Sequence, residues 1–73
     1  MTTHEKTIES HVASNVDEAI ELAAEYGGLE NAFFSFMQNT EDSAREDGYS
    51  PDEAFDAKNL YCSEFNKKTG MSL

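Results

Sequence analysis

Apolar positions fall at helical spacing through most of the chain. Ile8 is the first apolar residue after Met1, and Val12 follows at i+4, a thin stripe that predicts a short helix capped by Thr2 or Thr3 and docked on the rest. Asn15 reads as the N-cap of a second helix, with Asp17 in its first turn and Glu18 at capping-box spacing. Val16, Ala19, Ile20 and Ala23 would form its buried face, and Gly27-Gly28 would stop it. Leu29, Ala32, Phe33, Phe36 and Met37 then recur at i, i+3, i+4, i+7 and i+8, which centres the core on a third helix. That helix ends near Asn39 or runs on through Thr40 and Ala44 to Gly48. Ser50-Pro51-Asp52-Glu53 is the strongest local signal, with Ser at the N-cap, Pro at N1 and Glu at N3. The helix it opens is expected to bury Ala54, Phe55, Tyr61, Cys62 and Phe65, to carry Lys67 and Lys68 at its negative end, and to close at Gly70. No segment alternates like a strand. The expected fold is all-α: one compact domain, residues 1–73, of about four helices, with residues 69–73 loosely held.

Size and charge narrow the function. The chain has 73 residues, with 15 Asp and Glu against 5 Lys and Arg and a formal net charge of −10. A domain this small buries only about 60% of its unfolded surface, which leaves little core from which to cut an enzyme cleft. Direct contact with nucleic-acid phosphates is disfavoured by the sign of the field. Cys62 stands alone and admits no internal disulfide, which suits a reducing cytoplasm. The polar first residues do not read as a signal peptide, and no apolar run approaches a membrane span.

The residues that invite a chemical reading fall short of one. His4 and His11 lie seven apart with no third ligand at metal spacing, and both are expected to face solvent. A calcium loop with Gly48 at its sixth position would need ligands from Arg45 and Ala54, which cannot serve. Asp42-Ser43 resembles the motif of acyl carrier proteins, in which an Asp-Ser-Leu serine at a helix start bears phosphopantetheine. Here Ala44 replaces the Leu, and Arg45-Glu46-Asp47-Gly48 lacks the apolar residues that follow it. Cys62 shares a packed face with Phe55 and Phe65 and has no neighbouring base. The expectation is a non-enzymatic protein without catalytic residues, cofactor or metal.

The charge has a location. No Lys or Arg occurs between Lys6 and Arg45, and the acids are concentrated from Glu9 to Asp56. The last 17 residues are net +2, from three lysines less Glu64. Asp17, Glu21 and Glu25 recur at i, i+4 and i+8, with Glu18 beside them. Like charges at this spacing cost a helix a few tenths of a kcal/mol each. The row is either a solvated face or a surface shaped for a basic partner. Carboxylates at i, i+4 lie about 6 Å apart, near the roughly 6.8 Å rise of two DNA phosphate steps. Phe34 sits about 100° round the helix from Phe33, Leu60 lies opposite Phe55 and Cys62, and Tyr49 falls before the Ser50 cap. These three either close the core edges or serve as aromatic and aliphatic anchors within an acidic rim.

In size, acidity, the acidic row and the lack of catalytic motifs, the chain resembles the small proteins with which phages take over host nucleic-acid machinery. The resemblance implies a monomeric cytoplasmic regulator that binds a larger protein with a basic surface, first of all bacterial RNA polymerase, and alters transcription. Asp17, Glu18, Glu21 and Glu25 would make the electrostatic contacts, and Phe34 and Tyr49 would anchor them. Two alternatives stand beside it: a DNA mimic that inhibits a nuclease or a CRISPR-type defence complex, and a generic acidic helical adaptor.

Overall fold

The computed structural model describes residues 4–73; its regular elements are all helical, with no strand among these residues. Helix α1 spans Ile8–Glu21, a 3-10 turn spans Ala23–Tyr26, α2 spans Leu29–Glu46 and α3 spans Pro51–Thr69. Among the described residues three α-helices replace the expected four or so. Pairings across the bundle give its topology: Asn15 meets Asn39 and His11 meets Asp47, so α2 runs antiparallel to α1, while Phe33 meets Phe65 and Met37 meets Cys62, so α3 runs antiparallel to α2. Helices α1 and α3 therefore run the same way, and α2 returns between them. No described helix is long and apolar enough to cross a membrane.

The difference in helix count comes from Asn15. The expected first and second helices are one, because Val12, Val16 and Ala19 continue a single buried face through that residue. Asn15 is itself buried and caps nothing. Its Nδ2 donates to the His11 carbonyl at 2.8 Å, and its Oδ1 accepts from Asn39 Nδ2 at 2.6 Å. The true cap is Thr7, whose hydroxyl accepts from Ser10 N at 3.1 Å. The expected caps Thr2 and Thr3 lie outside the described residues. Ile20, expected in the core, is exposed, and Ala23 is only half-buried in the 3-10 turn.

Helix α2 takes the longer of its two expected ends and runs to Glu46. Gly48, at φ +90°, then turns the chain as only glycine does cheaply, and Tyr49 N donates back to the Ala44 carbonyl at 3.1 Å. Helix α3 opens with the capping box read from sequence, Ser50 and Glu53 each accepting from the other's backbone N–H at 3.2 Å. Its buried face is Ala54, Ala57, Tyr61 and Phe65. Phe55 is a correction: it is 50% exposed, because i+3 and i+4 steps back from Tyr61 reach Ala57 and Ala54. Beyond Gly70 the tail folds back, with Leu73 exchanging two hydrogen bonds with the Asn66 side chain.

Phe33, Tyr61 and Phe65 stack and tilt against one another with centroids 4.9–6.0 Å apart, and all three are buried. Each buried ring contributes roughly 1.5–3 kcal/mol. The Tyr61 hydroxyl donates to the Phe33 carbonyl at 2.9 Å, which lets a phenol sit at the centre of the bundle.

Candidate protein-binding surface

Asp17, Glu18 and Glu21 lie exposed on the outer side of α1. Glu25 does not extend their row. Helix α1 ends at Glu21, and Glu25 sits in the 3-10 turn, where the tighter winding breaks the i, i+4 register. Lys68 Nζ reaches Asp17 at 2.9 Å, but both side chains are more than half exposed and the pair adds little stability. Among the described residues neither Glu18 nor Glu21 has an ionic partner.

Beside the row runs a groove between α1 and α2, with two parts of different character. The larger part, about 710 Å³, is polar and is lined by Ser14, Glu18, Asn39, Ser43, Glu46 and Asp47 among others. The smaller, about 350 Å³, adjoins it through Glu18 and Asn39 and is walled by Leu22, Tyr26 and Phe36. Tyr26 is 41% exposed and leans on Phe36 with centroids 5.3 Å apart. Glu46, Ser43 and Tyr26 carried no mark in the sequence as groove residues. Their common location depends on α2 packing antiparallel to α1.

The polar end of the groove is closed by a cluster around Asp47. Its carboxylate accepts from Glu5 N at 2.7 Å, Lys6 N at 3.0 Å and His11 Nε2 at 2.8 Å. These bonds hold its pKa down to about 2; the Glu5 backbone contributes most, then His11. His4 Nδ1 donates to the Asp47 carbonyl at 2.7 Å, and the His4 ring stacks on Tyr49 at 3.6 Å. The histidines expected in solvent are thus engaged: His11 is buried and His4 half-buried. Sequence spacing hid this, since Asp47 is 36 residues from His11.

The two expected anchors separate. Phe34 is 51% exposed with its ring edge on Phe33. Tyr49 is half-buried and turned inward, its hydroxyl donating to the Lys6 carbonyl at 2.6 Å. Desolvation first, and then the Asp47, Glu53 and Glu9 charges, push its phenol pKa upward. Leu60 is partly exposed at an α1–α3 depression of about 370 Å³ over Val12 and Val16. Ser43 stands late in α2, away from the helix start that a carrier serine occupies. Cys62 is half-buried, its Sγ 3.5 Å from Met37 Sδ, and burial raises its thiol pKa. Among the described residues no three His, Cys, Asp or Glu side chains are grouped to hold a metal ion. Compared with known protein families, curated proteins and solved structures, the chain matches none.

Proposed function

We propose that this chain is a non-enzymatic binding protein that docks the acidic face of α1 on a cationic surface of a larger protein and regulates it. The observation that carries the reading is the set Asp17, Glu18 and Glu21, exposed together on one helix with Lys68 their one cationic neighbour by ion pairing among the described residues. On a chain of net charge −10 such a face speeds encounter with a positive site and disfavours neutral or acidic ones. Bacterial RNA polymerase, with its basic nucleic-acid channels, is the target of first choice within this reading. Helix-row mimicry of DNA is the weaker alternative, because only Asp17 and Glu21 keep the α-helical spacing.

The test is retention of polymerase subunits on the immobilised chain from bacterial lysate, at low and high salt, with promoter-dependent transcription measured in parallel. Retention that falls with salt and is lost in an Asp17→Asn, Glu18→Gln, Glu21→Gln variant supports the proposal. Equal retention by that variant overturns it. Release by added duplex DNA, with a nuclease captured in place of polymerase, would instead favour the mimic.

A further inference from the structure

The groove beside the acidic face has a chemistry of its own. Its polar part presents Glu5, Glu18, Glu46 and Asp47 against one lysine, Lys6, with Asp47 already committed to His11. Among the described residues Glu18 and Glu46 have no ionic partner, and the Ser14 and Ser43 hydroxyls stand beside them. Such a lining offers acceptors and an excess of negative charge, which favours a cation over an anion. The adjoining part is different: Leu22, Phe36 and the half-open face of Tyr26 offer apolar contact. From Ser14 to Leu22 the α1 backbone rises about 12 Å, at about 1.5 Å per residue. Residues i and i+3 of an extended peptide lie about 10 Å apart.

We propose that the α1–α2 groove seats an extended basic segment of a partner protein, with an arginine or lysine between Glu18 and Glu46 and an apolar side chain three residues later against Tyr26. This rests on the reading of the chain as an acidic protein-binding domain and names where on it the partner inserts. The occupant follows from charge complementarity: Glu5, Glu18 and Glu46, without ionic partners among the described residues, outweigh one lysine at one end and select a cation, and the ring at the other end fixes the direction of the segment.

The experiment uses a blocked tetrapeptide, arginyl-alanyl-alanyl-leucine amide, titrated into the isotopically labelled full chain and followed by amide chemical shifts. Shifts confined to Ser14, Glu18, Asn39, Ser43 and Tyr26 are expected. Replacing arginine by neutral citrulline, or introducing Glu18→Gln with Glu46→Gln, should weaken binding about tenfold, the effect of one lost charge-assisted contact. Tyr26→Ala should abolish the preference for leucine over alanine at the fourth position. These side chains are exposed, so the variants are expected to fold, and circular dichroism checks it. No shifts, or shifts along Asp17 and Glu21 that Glu46→Gln leaves unchanged, overturn the groove. Partner retention lost in Asp17→Asn, Glu21→Gln but intact in Glu46→Gln, Tyr26→Ala also overturns it, while the acidic-face reading survives. Peptide binding in the groove with retention unaffected by any variant would sink that reading and leave the groove as a seat for basic peptides.

Discussion

His11 and Asp47, 36 residues apart, meet in a 2.8 Å hydrogen bond that is more than nine-tenths shielded from solvent on both sides. The same carboxylate holds the backbone N–H groups of Glu5 and Lys6, so one residue joins the chain start, α1 and the α2–α3 link. Removing it takes away three hydrogen bonds at once, one of them from the buried His11 ring. Asp47→Ala should lower the thermal midpoint clearly, and the Glu5 and Lys6 amides should lose protection in hydrogen exchange before those of the Phe33–Tyr61–Phe65 core. Unchanged protection at Glu5 and Lys6 would show that the clasp does not restrain that segment.

Asp47 also sets an acid limit. Its pKa is depressed from 3.8 to about 2 in the folded chain. A depressed carboxylate contributes stability that is fully present above its unfolded value and is lost as pH falls through the folded one. The window is therefore from about pH 4 down to about pH 2. Glu53, lowered mainly by the Ser50 backbone N–H, acts with the same sign. Urea midpoints measured at steps through this window should fall less steeply for Asp47→Asn than for the parent chain.

Tyr61 separates packing from hydrogen bonding in the core. Tyr61→Phe keeps the ring among Phe33 and Phe65 and loses only the bond to the Phe33 carbonyl. A cost of about 1 kcal/mol is expected from urea denaturation. Tyr61→Ala leaves a cavity at the centre of the bundle and should cost about 3–5 kcal/mol, enough to unfold much of a small domain.

Phe34 and Phe55 are half exposed and contribute little to the core. Phe34→Ser and Phe55→Ser should each change stability by no more than about 0.5 kcal/mol. If Phe34→Ser costs well over that, its edge contact with Phe33 is part of the core and the residue is no free anchor.

Cys62 should react slowly with a disulfide reagent at mildly alkaline pH. Burial raises its thiol pKa, which lowers the thiolate fraction, and Met37 lies against the sulfur. Unfolding in urea should restore the rate of a free thiol. Fast reaction in the native state would mean that the α2–α3 seam opens.

Much of α2 and α3 was legible in the amino-acid order because their signals are local. The Ser50-Pro51-Glu53 cap, the Leu29 to Met37 spacing and Gly70 each act within one or two helical turns. Both Ala54 and Phe55 were expected inside; the stripe that packs, Ala54, Ala57, Tyr61 and Phe65, leaves Phe55 about 100° round the helix and half exposed. The exposed acids Asp17, Glu18 and Glu21 could be placed on a helix from sequence, but the end of their row could not. Glu25 leaves it because the chain tightens into a 3-10 turn on the way to α2.

Asn15 marks the boundary between the two kinds of information. Alone, it is a good helix cap, since its side chain competes for backbone N–H groups. Inside the bundle Asn39 donates to its oxygen from 24 residues away, which meets its need for a partner and lets α1 run through. The His11–Asp47 clasp and the α1–α2 groove arise the same way. Periodicity, caps and charge content belong to the sequence; tertiary structure decided which polar groups found partners across the bundle. A hydrogen-bonding side chain is satisfied by whatever lies beside it, however distant in the chain.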